Sequence, residues 1–196
     1  MALTQDLTIH HHLPNSLRDQ AAKLYWQAFG TKLGRVMGPE PRALRLLGRI
    51  MRNDHAIIAM DGDRLVGLVG YKTPRGAFAS GTFGDLWAVF GMGGLWRAAV
   101  LRMLVRDVDN ERFLLDGLCV APDARDMGVG TALLNAVVIE ARARGYHAVR
   151  LDVVDTNPRA RALYVREGFK VVKVSQMGLL RHMFGFASSA TMVRDL

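Results

Sequence analysis

The stretch that most constrains the fold runs from Phe113 to Val154. Phe113–Val120 is a short apolar run of strand length, closed by Ala121-Pro122. Gly128–Arg144 then carries Val129, Leu133, Val137 and Ala141 on one stripe, widened by Leu134 and Val138, the pattern of a helix packed on one face. Gly145 ends that helix, and His147–Val154 reads as a second strand. Strand, helix and strand in this order form a crossover unit with a parallel pair. Upstream, Asp61-Gly62-Asp63 parts two short apolar runs, His55–Met60 and Arg64–Tyr71, which signals an antiparallel hairpin. A chain that holds both units needs a mixed sheet.

The remaining elements fit round that sheet. Leu3–His10 is a possible first strand. Asn15 or Ser16 is placed to cap a helix running to Phe29, with Leu17, Ala21, Leu24 and Ala28 on its inner face. Pro39 and Pro41 open a second helix with the stripe Leu44, Leu47 and Met51 and with Arg42, Arg45, Arg49 and Arg52 opposite. Residues 72–92, rich in glycine and aromatics, read as an irregular loop with a partial strand. Leu95–Val105 looks helical. Asn157 and Pro158 start a short helix that ends near Glu167 and Gly168. Phe169–Val174 and Ala190–Arg194 are two late strands. With 196 residues, no internal repeat and no linker, residues 1–196 are predicted to form one domain.

The chemistry concentrates where the first strand of the crossover meets its helix. Arg125-Asp126-Met127-Gly128-Val129-Gly130-Thr131 places two glycines at a strand–helix turn. Backbone N–H groups at such a helix start have no helical acceptor, and they share the positive end of the helix dipole. Together they form a cradle for a pyrophosphate, with room for it at Gly128 and Gly130 and a charge-assisted contact from Arg125. The spacing is Arg-x-x-Gly-x-Gly. It lacks the third glycine of a dinucleotide fingerprint and the Gly-Lys-Ser/Thr of a triphosphate loop. A plain tight turn is the competing reading of this segment alone.

A second segment adds to it: Asn157, then Ala160-Arg161-Ala162-Leu163-Tyr164, then Gly168-Phe169. In type, order and separation the two segments resemble the GNAT N-acetyltransferase superfamily, over residues 113–170. The resemblance implies an α/β (α+β) fold with a mixed, mostly antiparallel central sheet of about seven strands flanked by helices. It implies acetyl-CoA as co-substrate, no metal, and direct transfer of the acetyl group to a primary amine of a small molecule or a protein. Main-chain groups of Leu118 and Val120 would pair with the pantetheine arm, and the Leu118 N–H would polarise the thioester carbonyl. N–H groups from Asp126 through Met127, Gly128, Val129, Gly130 and Thr131 would hold the pyrophosphate. Asn157 would bond the arm or shape its path, and Tyr164 would protonate the departing thiolate. The family usually has glycine where this chain has Asp126, whose side chain is free to turn outward to an arginine. The non-catalytic alternative is an acetyl-CoA sensor.

Asp116 is predicted to share a strand face with Leu114, Leu118 and Val120, either as the base for the incoming amine or as half of a salt bridge with an arginine. Asp152 is expected to pair with Arg150 on its own strand. Asp85 and Glu111 are weaker candidates for a cationic substrate. Cys119 is predicted to point away from Asp116 as a small buried hydrophobe. No histidines outside the tract His10–His12 show ligand spacing, and the tract itself reads as a strand end before the turn at Pro14.

A formal net charge of +8 admits a basic surface, a polyanionic partner or a site for a phosphorylated cofactor. Without interleaved Arg/aromatic motifs, nucleic acid is not an expected partner. The most apolar stretch, Leu86–Leu95, is too short to span a bilayer, and the start of the chain has no secretory pattern. A cytoplasmic location is expected, and the exposed late strands leave room for a homodimer.

Overall fold

The computed structural model describes residues 7–95, 97, 111–178, 181 and 185–196. Its strands are β1 (Leu7–His10), β2 (Ala56–Asp61), β3 (Arg64–Thr73), β4 (Gly76–Ala77), β5 (Phe113–Val120), β6 (Ala148–Val154), β7 (Lys170–Gln176) and β8 (Ser188–Asp195). They form one eight-stranded sheet in the order β1-β2-β3-β5-β6-β8-β7, with β4 paired to β3. All pairs are antiparallel except β5 with β6. The mixed, mostly antiparallel sheet is as expected; the extra strand is β4, two residues long. At the hairpin, Asp61 pairs with Arg64 across a two-residue Gly62-Asp63 loop.

Helices cover both faces. On one face, α1 (Arg18–Met37), α2 (Glu40–Ile50) and α3 (Phe83–Phe90) enclose Leu24, Leu46, Leu47, Ile58, Leu68 and Cys119. On the other, α4 (Val129–Ala143) and α5 (Pro158–Arg166) enclose Val66, Val69, Phe113, Leu133, Val137 and Tyr164. α4 sits close to the sheet because β3 has glycine beneath it: a Cβ on Gly67 would lie 2.8 Å from Val129 and 2.9 Å from Leu133. Overpacking of that kind costs typically 1–3 kcal/mol.

Three local expectations change. α1 runs past Phe29 to Met37, because Gly30 is not a stop; a Cβ there would strike the Trp26 ring at 2.9 Å. Asn15 does not cap α1, since its Oδ1 accepts from Asn53 Nδ2 at 2.6 Å. Within 72–92 lies a helix, α3, started by a reciprocal capping box. Thr82 Oγ1 accepts from the Asp85 N–H at 3.3 Å, and Asp85 Oδ2 accepts from the Thr82 N–H at 2.9 Å. The predicted helix Leu95–Val105 falls almost entirely outside the described residues.

Candidate active site

The site starts from a defect in pairing. β5 and β6 are partnered only at Phe113–Val149 and Leu114–Arg150. Beyond Leu114 the two parallel strands part, and β5 keeps only β3 as a neighbour. The Ala121 N–H is taken by the Val66 carbonyl at 2.9 Å. Main-chain groups alternate in direction along a strand, so the N–H groups of Val120 and Leu118 point to the opposite, open edge. The open edge borders a cavity of about 420 Å³, whose walls include Asp116, Leu118, Arg150, Asp152 and Tyr164.

A β-bulge sets which side chains of β5 reach which face. Gly117 pairs with Gly70 and Leu115 with Tyr71, so Asp116 is the extra residue. The bulge overturns the strict alternation expected from the sequence. Leu118 and Val120 join Phe113 and Leu115 on the α4 side, while Cys119 packs on the α1–α2 side. Asp116 accepts from the Ala79 N–H, and Ala79 packs in that same layer. The two therefore lie toward one face, not opposite ones.

Asp116 does form a salt bridge, but with a lysine. Lys72 Nζ lies 3.2 Å from Asp116 Oδ1, with both side chains 17% exposed. Burial pushes the Asp116 carboxyl above the usual carboxylate range, against the pull of Lys72 and of the Ala79 N–H. Lys72 is legible in the sequence as a cation directly after the apolar run Leu65–Tyr71. The second pair is as expected: Arg150 Nη2 lies 3.7 Å from Asp152 Oδ2, and the Thr191 hydroxyl donates to Asp152 Oδ1. Asp85 is spent on the α3 cap and on Arg49 at 3.5 Å.

Tyr164 enters the cavity from α5, 7% exposed, its ring 5.9 Å from that of Phe169. Burial raises its phenol to about 12, so it holds its proton throughout the neutral range. Burial likewise raises the Cys119 thiol to about 12, and its Sγ donates to the Leu68 carbonyl at 3.5 Å. A thiol so held is no nucleophile near neutrality.

The turn before α4 has the form of an anion cradle. Gly128 takes a left-handed conformation, φ +82°, with open space round its α-carbon. Asp126 is left-handed too, at φ 63°, the only non-glycine residue so placed among those described. Aspartate tolerates that region better than most side chains do. Its carboxylate is 83% exposed and pairs with Arg159. Gly130 serves packing: a Cβ there would meet Leu163 at 2.9 Å. Val129 is buried in the core, and the Thr131 hydroxyl donates to Glu167 Oε1 at 2.7 Å, so both are left to offer backbone N–H groups. Arg125 is exposed, its Nε donating to the Val120 carbonyl at 3.4 Å. Asn157 Oδ1 caps α5 by accepting from the Ala160 N–H at 3.2 Å.

Donors along an open strand edge thus lead to a helix start. The profile of the Acetyltransferase (GNAT) family matches residues 18–169. The chain belongs to the GNAT acetyltransferase family. Two curated relatives share its sequence in part. Both are described as probable N-acetyltransferase camello. The one from Xenopus tropicalis is 38% identical over 78 residues, which is 40% of this chain and 35% of that protein. The one from Xenopus laevis is 41% identical over 66 residues, 34% of this chain and 30% of that protein. The matched part thus spans about a third of these relatives.

Solved structures of the family share the whole fold. A ribosomal-protein-alanine N-acetyltransferase from Brucella melitensis superposes with a TM-score of 0.64 at 20% identity, covering 97% of this chain and all of that one. A GCN5-related N-acetyltransferase from Kribbella flavida gives 0.60 at 18% identity, over 97% and 98%. Among the described residues no helix is long and apolar enough to cross a membrane. None of them form a group of three or more His, Cys, Asp or Glu able to hold a metal ion.

Proposed function

We propose that this protein transfers the acetyl group of acetyl-CoA to a primary amine by direct attack. The observation that carries the reading is the split between β5 and β6. It leaves the N–H groups of Leu118 and Val120 on an open edge, and brings Leu118 to the same cavity as a protonated phenol, Tyr164, and a carboxylate, Asp116. Acetyl-CoA supplies the activated acetyl group. The Leu118 N–H stabilises charge that develops on the thioester oxygen, an interaction that strengthens toward the transition state. Asp116 takes the proton of the acceptor ammonium, directly or through water. Tyr164 donates to the departing sulfur. N–H groups across Asp126–Thr131, with Arg125, hold the pyrophosphate, and Asn157 lies beside the path of the pantetheine arm. Holding donor and acceptor together supplies much of the rate. An acyl-enzyme on Cys119 has no support, because its thiol is buried and protonated.

The test is thiol release from acetyl-CoA across a panel of amines: polyamines, amino acids, aminoglycosides and peptides with free amino groups. Release that depends on an amine supports the reading. Tight binding of acetyl-CoA with no release for any amine would make the protein a sensor instead.

A further inference from the structure

The cavity already contains a primary amine. Lys72 projects from β3 into it and pairs with Asp116, the carboxylate given above to the acceptor. The internal amine thus stands where an external one would, beside the same base and within one chamber with Tyr164. The chain is rich in arginine and poor in lysine, and Lys23, Lys170 and Lys173 are exposed on the surface. Lys72 is the lysine that lines the cavity.

We propose that Lys72 is a site of self-acetylation, modified within the cavity by the acetyl-CoA that the protein binds. The inference rests on the proposed transferase reading. The Lys72 ammonium gives one proton to Asp116, which passes it to water. The neutral Nζ attacks the thioester carbonyl carbon, an N–C bond forms and the C–S bond breaks. Sulfur leaves with the Tyr164 proton, and the second proton lost by nitrogen restores the phenol. The products are an amide at Lys72, free thiol and one proton. The amide carries no charge, so Asp116 loses its counter-ion. A carboxyl buried without a cation ionises less readily, and the modified protein therefore deprotonates acceptors less well. Self-acetylation then acts as a brake when acceptor is scarce.

The experiment uses the full chain with isotopically labelled acetyl-CoA and no added amine, followed by trypsin and mass spectrometry. Acetylation blocks cleavage after Lys72, so residues 65–75 remain one peptide. The expected result is label at Lys72 at least tenfold above Lys170 and Lys173, at a rate per molecule independent of protein concentration. In Tyr164→Phe, the rate of labelling at Lys72 falls about 10²-fold while Lys170 and Lys173 keep theirs. Label at Lys72 no greater than at the exposed lysines, or unaltered in Tyr164→Phe, overturns the proposal. A parallel thiol-release assay with the amine panel separates the two failures. Release with an external amine but an unlabelled Lys72 overturns only the self-acetylation. No release and no binding of acetyl-CoA overturns both.

Discussion

The Lys72–Asp116 pair invites a double-mutant cycle. At 3.2 Å, and with both side chains 17% exposed, the attraction is about 5 kcal/mol if the effective dielectric constant is near 20. Removing one partner leaves the other charge buried and uncompensated, which costs about 3–5 kcal/mol. Asp116→Asn and Lys72→Met are each expected to lose that much in urea unfolding at pH 7. Replacing both removes two desolvated charges at once, and the double variant is expected within about 1–2 kcal/mol of wild type. The coupling energy then comes to about 4 kcal/mol or more. Kinetics supply a second readout. Lys72→Met removes the cation that holds the Asp116 carboxyl down, so the acid limb of the kcat/KM profile moves to higher pH. A coupling below about 0.5 kcal/mol would show a pair screened as at the surface. The electrostatic account of the cavity would then be wrong.

Three further outcomes follow from the same geometry. Tyr164→Phe keeps the ring packed on Phe169 and removes only a hydroxyl. Calorimetry should show little change in Tm, while kcat for thiol release falls about 10²-fold or more with KM for acetyl-CoA nearly constant; a kcat within threefold of wild type refutes the proton-donor role. Asp126→Gly relieves a left-handed side chain, worth about 1 kcal/mol, but loosens the unfolded chain by a similar amount. Its effect is expected in titration calorimetry instead, as acetyl-CoA binding about threefold tighter at low salt, since a carboxylate leaves the cradle and Arg159 is released. Acid should destabilise the fold. The Arg52 hydrogen bond lowers the Asp54 carboxyl, and the Thr82 main chain lowers Asp85. Groups depressed in the folded state stabilise it above the unfolded carboxylate range, so their contribution fades as pH falls from about 5. Asp116, raised by burial, has the opposite sign and softens that loss. Urea midpoints that stay flat from pH 6 to 3 would contradict this balance.

The crossover unit was legible because its signals are local. Phe113–Val120 matches β5 residue for residue, and the α4 stripe lies in one core. The helix α3 is hard to see in the sequence because its apolar residues suit several structures, and only the Thr82–Asp85 pair marks its start. The faces of β5 are not legible, because one inserted residue, Asp116, resets a two-residue period, and no local composition records a bulge. Gly130 reads in the sequence as room for a phosphate, whereas Leu163, met in space, explains it. The pairing of Asp116 with Lys72 joins two strands 44 residues apart in sequence, information that resides in register rather than in either segment.

With only two residue pairs joining β5 to β6, the sheet is two plates hinged at one corner. A molecule that bonds to Leu118 and Val120 adds rungs where the protein has none, so it acts as a splint as well as a reactant. Rigidity of the sheet and occupancy of the cleft become one variable. Under the proposed reaction the seam would tighten as the donor threads it and slacken when the spent thiol departs. Slower amide exchange along the open edge of β5 on adding acetyl-CoA is the expected sign of it.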